Sequence, residues 1–240
     1  MQTKTNLVLA LLGAGALLPL GAAAGAASPE EGVALAIVYD TSGSMKELVP
    51  DRAGGRSPKY VIANRALETI ANQLQAFASG PASAGPPRKI ETALIIFDNG
   101  RPRVALPLRA FKAAALRDWA RRFASPSGGT PLGNALRTAG QAVLRSPLTR
   151  KHVLVITDGL NTVGPAPERV MPDLKREAAA QQTSLEMHFI AFDVDAKQFE
   201  PLKKLGATVV GAADEKQLSS QLDYILQRKI LLEAEEPPKK

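Results

Sequence analysis

Residues 33–39 are apolar without interruption and end at Asp40. A second such run, residues 153–157, closes with Thr157 before Asp158. Runs that lack polar alternation predict strands buried on both faces, as in a parallel sheet covered by helices. Between them the period changes. Tyr60, Ala63, Leu67, Ile70, Leu74 and Phe77 recur every three or four residues, which predicts an amphipathic helix, with Ser57 placed to cap it and Pro58 at its first position. Residues 79–88, rich in Gly, Pro and Ala, read as a loop, and residues 92–97 as a further strand. Asp98-Asn99-Gly100 then marks a tight hairpin, because Asn-Gly tolerates the positive φ angles of such a turn. The returning strand, residues 103–108, is flanked and interrupted by Pro102 and Pro107 and belongs at a sheet edge, since proline cannot donate to a ladder.

Two more helical faces follow, one lined by Phe111, Ala115, Trp119 and Phe123, the other by Leu132, Leu136, Ala139 and Val143. Residues 185–192 predict a strand, 199–205 a short helix stopped by Gly206, and 208–210 a final strand. Asp214 with Gln217 resembles a capping box for a last helix whose apolar face carries Leu218, Leu222, Ile225 and Leu226. Strands alternating with helices, plus one hairpin, predict an α/β fold. The expected core is a single doubly wound open sheet of about six strands, mostly parallel with one antiparallel edge strand, with helices on both faces.

The N-terminal segment bears on location. Lys4 precedes an uncharged stretch, residues 7–20, and the small residues at 22–27 suit a signal peptidase, so residues 1–27 read as a cleaved secretory signal. A retained anchor is the alternative, although the apolar part is shorter than the roughly 20 residues of a spanning helix. No later segment is long and apolar enough to span. The expected protein is exported, periplasmic or extracellular, with one domain over residues 28–230 and a charged, mobile tail over 231–240.

Composition narrows the chemistry. Aromatics are only 5%, so aliphatic strands must fill the core, and the absence of cysteine excludes disulfides, thiolate metal sites and a cysteine nucleophile. A net charge of +7 raises the question of nucleic acid, but the basic residues are spread along the chain without interleaved aromatics for stacking. Nucleic acid is therefore not an expected partner. Arg117, Arg121 and Arg122 read as a wet helix face. His152 and His188, beside or within strands and lacking a nucleophile-and-acid arrangement, read as structural.

In open sheets of this kind ligands collect beyond the carboxyl ends of the strands, where strand order reverses. Asp40 and Asp158 would converge there from two strands, and carboxylates about 4 Å apart repel by about 4 kcal/mol at a dielectric near 20. A cation, a shared proton or wider separation must resolve that. The neighbouring residues favour the cation. Asp40-Thr41-Ser42-Gly43-Ser44 puts a carboxylate and two hydroxyls at alternate positions of a turn, and Gly128-Gly129-Thr130 offers a third hydroxyl. Hard oxygen ligands suit Mg²⁺, with Mn²⁺ or Ca²⁺ also possible. Because three of the five candidate ligands are neutral, the ion would stay electrophilic, and an acidic side chain is its natural occupant.

These three pieces, Asp40-Thr41-Ser42-Gly43-Ser44, Thr130 after two glycines, and Thr157-Asp158-Gly159, resemble the metal-ion-dependent adhesion site of von Willebrand factor type A domains of the bacterial exported type. The resemblance covers nearly the whole mature chain. It implies Ser42, Ser44 and Thr130 touching the metal, with Asp40 and Asp158 binding directly or through water. The expected function is a metal-dependent protein-binding module, for adhesion or assembly, that accepts Asp or Glu of a partner protein. Two other readings stay open: a structural assembly subunit with a vestigial site, and a metal-dependent hydrolase. The latter lacks a Gly-x-Ser-x-Gly elbow, a phosphate loop and a paired-histidine zinc helix, so no enzyme activity is expected. Residues 46–57, leaving the metal turn, form either a partner-choosing rim or a solvated connection.

Overall fold

The computed structural model describes residues 30–80 and 88–231. The signal at 1–27, most of the tail (232–240) and residues 81–87 of the Gly/Pro/Ala loop lie outside the described residues. Strand β1, Glu30–Tyr39, runs through the centre with Val33 to Tyr39 fully buried. It leads through a 3-10 turn at Gly43–Lys46 into two short strands, β2 at Leu48–Pro50 and β3 at Arg56–Pro58, that pair antiparallel. Residues 46–57 are thus a small hairpin and not a plain loop. Ser57 does not cap the following helix: its hydroxyl donates to Asp51 Oδ2 at 2.8 Å. Helix α1, Lys59–Ser79, starts after Pro58 with no side-chain cap.

Strands β4, Ile90–Asp98, and β5, Arg101–Ala110, form the expected hairpin, with Asn99 and Gly100 at φ 49° and 73°. The ladder shifts register twice, on either side of Leu94, so the segment holding Pro107 is not asked to pair regularly. Helix α2, Ala113–Arg122, helix α3, Leu132–Leu144, and strand β6, Leu148–Thr157, follow. Next comes helix α4, Pro167–Ala180, which the hydropathy pattern did not predict. Pro172 interrupts it, and its buried face is only Pro167, Val170, Met171, Leu174 and Ala178 among charged neighbours. Strand β7, Glu186–Phe192, a 3-10 turn at Ala196–Phe199, helix α5, Glu200–Lys204, strand β8, Thr208–Ala212, helix α6, Glu215–Ile225, and a π-helical turn at Leu226–Leu231 complete the described chain. Asp214 caps α6 by accepting from Gln217 N at 2.8 Å.

The six long strands form one sheet in the order β5-β4-β1-β6-β7-β8, parallel except for β5 at one edge. Alternation along β1 divides the core. Val33, Leu35, Ile37 and Tyr39 face α1, α2 and α6, whereas the smaller Ala34, Ala36 and Val38 face α3 and α4. Small residues on that side let α3 sit close to the sheet and to α4. A Cβ added at Gly140 of α3 would fall 2.7 Å from Leu174 Cδ1 of α4. From β1 the sheet grows towards β4 on one side and β6 on the other. The strand order therefore reverses between β1 and β6, and the residues that follow Tyr39 and Thr157 meet above that gap. Among the described residues no helix is long and apolar enough to cross a membrane.

Candidate metal centre

Both strands that flank the reversal point are followed directly by an aspartate. Asp40 is fully buried. Its Oδ1 accepts from the Ser42 backbone N–H at 2.8 Å and its Oδ2 from the Thr157 hydroxyl at 2.6 Å, so the end of β6 fixes the carboxylate at the end of β1. Burial, and then the charge of Asp158, push the Asp40 carboxyl up to about 6, against the pull of its hydrogen bonds from Ser42 and Thr157.

The hydroxyls gather around the same point. Ser42 Oγ and Ser44 Oγ lie 3.1 Å apart, and Ser44 donates to Asp158 Oδ1 at 2.8 Å, bridging the first turn to the loop after β6. Thr41, between them in sequence, points the other way. Its hydroxyl donates to Phe97 O at 2.8 Å and accepts from Phe97 N at 2.9 Å, locking the turn to the end of β4. Thr130 comes from a third loop, which is tied to the first by Gly43 N to Gly128 O at 3.0 Å and Ser127 N to Thr41 O at 2.8 Å. The loop after β6 holds Thr130 on its other side: Thr130 N donates to Thr162 Oγ1, and Thr162 N donates back to Thr130 O. Gly129 is required there, because an added Cβ would lie 2.9 Å from Thr162 Oγ1 and 3.0 Å from Val163 Cγ2. A Cβ placed on Gly159 would lie 3.9 Å from Thr130 Oγ1, which sets that hydroxyl beside the Asp158-Gly159 peptide.

Asp40, Ser42, Ser44, Thr130 and Asp158 are therefore drawn together from three loops. Thr130 is not the cap of α3, which has Pro131 at its N-cap, while Asn161 Oδ1 accepts from Gly133 N of the first turn at 3.1 Å. The donor set fits a hard divalent ion: two carboxylates and three hydroxyls, with no sulfur or imidazole. Among the described residues no three His, Cys, Asp or Glu side chains are grouped to hold a metal between them. The three carboxylates that do converge, Glu47, Asp158 and Asp193, converge on an ammonium.

That ammonium is Lys59, which the hydropathy pattern passed over as an ordinary helix-start residue. Its Nζ lies 2.7 Å from Glu47 Oε2, 3.1 Å from Asp158 Oδ2 and 3.0 Å from Asp193 Oδ2, and its side chain is 3% exposed. Burial pulls the ammonium down, but the hydrogen bonds of Glu47, Asp193 and Asp158 outweigh it and leave Lys59 well above the usual lysine range. Asp193 follows β7 with φ 55°, a left-handed conformation that Asp accepts better than most residues. No spacing rule on Lys59 or Asp193 signals this contact. Glu47 falls within residues 46–57, which sequence alone leaves as a rim or a solvated connection.

The family model described as von Willebrand factor type A domain matches residues 35–161, more than half of the chain, and the chain belongs to that family. No curated protein matches the sequence. Among solved structures, the PilB minor pilin from Streptococcus sanguinis is similar at 14% identity and TM-score 0.59, over 82% of this chain and 61% of the pilin. The chain thus spans about three fifths of the length of that relative. The vWF domain of the type V pili tip protein Mfa5 from Porphyromonas gingivalis is similar at 16% identity and TM-score 0.59, over 82% of this chain and 94% of that domain. Proximal thread matrix protein 1 from the mussel byssus, with a zinc-occupied MIDAS motif, is similar at 15% identity and TM-score 0.58, over 83% of this chain and 48% of that one. At these identities the likeness is one of fold.

Proposed function

We propose that this von Willebrand factor type A domain is a protein-binding module, for adhesion or assembly, that uses a divalent cation to accept an Asp or Glu side chain of a partner. Ser42, Ser44 and Thr130 would hold the ion directly, with Asp40 and Asp158 binding it directly or through water. The carrying observation is that two buried acids and three hydroxyls from separate loops are brought to one point, where burial and Asp158 together raise Asp40 to about 6. The ion would supply an electrophilic position that neutral hydroxyls do not quench. Mg²⁺ suits the all-oxygen set, Mn²⁺ and Ca²⁺ share its ligand preferences, and the mussel protein's zinc-occupied motif is a precedent for a different ion in a similar fold. No oriented nucleophile or base accompanies the carboxylates among the described residues, which favours binding over hydrolysis.

The pilus proteins among the similar folds support an envelope or extracellular setting, in line with export through the signal at residues 1–27. Affinity capture from an envelope or extracellular fraction tests the function. Partners retained with Mg²⁺ should be released by chelator and should not be retained by Asp40→Ala. Recovery of the same partners by Asp40→Ala in the presence of chelator refutes the proposal. One observation favours a second reading, a structural subunit with a vestigial site: Lys59 already gives Asp158 a counter-ion. A melting temperature indifferent to millimolar Mg²⁺ would select that reading.

A further inference from the structure

Given an ion at this centre, as proposed above, we infer that Lys59 is a positioning residue that holds Asp158 back from the ion and so reserves the ion's charge for an incoming carboxylate. Both oxygens of Asp158 are engaged within the chain. Oδ2 receives Lys59 Nζ at 3.1 Å and Oδ1 receives the Ser44 hydroxyl proton at 2.8 Å, and the side chain is 0% exposed. A hydroxyl that gives its proton to Asp158 keeps oxygen lone pairs for a cation. Asp158 therefore acts on the ion through Ser44, while the ammonium, shared with Glu47 and Asp193, offsets part of its charge.

Lys59 cannot easily swing away to surrender Asp158. It is the first residue of α1, its N–H donates to Glu47 O at 2.9 Å, and its Nζ also binds Glu47 and Asp193. One ammonium thus joins the hairpin base, the end of β6 and the end of β7. Among the described residues Asp40 has no cationic partner: its oxygens accept from the Ser42 backbone N–H and the Thr157 hydroxyl. The consequence is an asymmetric pair of acids, in which Asp158 has a cationic partner and Asp40 has none. An ion facing one uncompensated carboxylate and neutral hydroxyls is held less tightly than one facing two, and it attracts an external carboxylate more strongly.

A double-mutant cycle on the full chain separates this role from a merely structural one, with Mn²⁺ as the probe because its free-ion paramagnetic resonance signal reports binding directly. Lys59→Met releases Asp158 to the ion and should tighten Mn²⁺ binding by about tenfold or more, whereas Asp158→Asn removes the acceptor of the Ser44 proton and one of the carboxylates facing the ammonium, and should weaken it by a similar factor. With both substitutions the Lys59–Asp158 ion pair is replaced by two uncharged side chains, while Glu47 and Asp193, both partly exposed, remain. Binding should then stay within about threefold of the parent or exceed it. Acetate, the carboxylate probe, should associate with the Mn²⁺-loaded Lys59→Met variant more weakly than with the parent, read by water-proton relaxation.

Should Lys59→Met alone fail to fold, the double variant still carries the test, because no buried charge is left unpaired in it. A double variant that loses Mn²⁺ as fully as Asp158→Asn would show Asp158 to be a direct ligand and overturn the role of Lys59. So would Lys59→Met binding Mn²⁺ no more tightly than the parent, or acetate binding it equally well. A parent chain that takes up no Mn²⁺ at all overturns the metal reading itself, and this one with it.

Discussion

His152 on β6 and His188 on β7 face each other with Nδ1 and Nε2 3.2 Å apart and rings nearly parallel, and their outer nitrogens, His152 Nε2 and His188 Nδ1, are buried without a hydrogen-bond partner. A charged imidazole is unwelcome there. Burial first, then the charges of His188 and Arg150, lower His152 to about 3; burial, then Lys229, lowers His188 to about 4. At pH 7 folded and unfolded chains both carry these rings neutral. As pH falls below 6.5 the unfolded chain takes up protons that the folded chain refuses until pH 4 to 3. Stability is lost across that window, by up to about 1.4 kcal/mol per pH unit for each histidine. Urea unfolding between pH 7 and 4.5 should show a shallower pH slope for the double variant His152→Leu with His188→Leu than for the parent, and identical slopes would exclude the pair as the cause. The structural reading of these residues was available from sequence because nothing nucleophilic accompanies them. Lys59 was hidden for the opposite reason: a lysine at a helix start is ordinary, and only the fold shows where its four-carbon stem reaches.

At the scale of elements, what the hydropathy pattern revealed and what it concealed follows from how each element is stabilised. Strands β1 and β6 are buried on both faces, so their apolar runs are long and unmistakable. The β4–β5 hairpin announced itself through Asn99-Gly100, a local chemical requirement. The β2–β3 hairpin has strands of only three residues, too short for a hydropathy pattern, although its turn is local chemistry too: Asp51 Oδ1 accepts from Ala53 N and Gly55 N, and Gly54 has φ 84°. It is also pinned from outside, since Arg52 N donates to Glu215 Oε2, and Arg65 binds Glu215 with two hydrogen bonds of 2.7 and 2.8 Å. The start of α3 is likewise held from outside. Thr130-Pro131 looks like a local cap, yet Gly133 N is satisfied by Asn161, from the loop after β6. That contact couples α3 to the segment carrying Asp158 and Thr162. Asn161→Ala should therefore lower stability by about 1 kcal/mol, the usual value of a lost helix cap. It should also weaken metal binding, since Thr130 is held by the same segment. Denaturant melts with and without Mg²⁺ would separate the two effects, and loss of stability with an unchanged metal response would show the loop to be a cap alone.

For the molecule as a whole, the centre sets function against stability. Three loops are tied by hydrogen bonds into one surface around Asp40, a buried acid raised from 3.8 to about 6. A carboxyl that titrates higher in the fold than in the unfolded chain favours folding below its unfolded value, and that benefit disappears as pH rises to and beyond about 6. At pH 7 the metal-free protein therefore carries a charge that its own fold disfavours, and a divalent ion removes the conflict. Mg²⁺ at a hundredfold excess over its dissociation constant should add about 2.7 kcal/mol, a rise of about 5–10 °C in melting temperature for a domain of this size. Asp40→Asn preserves the shape and the acceptor for Ser42 N but deletes the charge, so two readouts should move in opposite directions. Without metal at pH 7 the variant should melt above the parent, and its response to Mg²⁺ should vanish. Paired melting curves in chelator and in Mg²⁺ decide the matter: a variant that melts below the parent in chelator, yet still gains from Mg²⁺, would place the ion somewhere other than between β1 and β6.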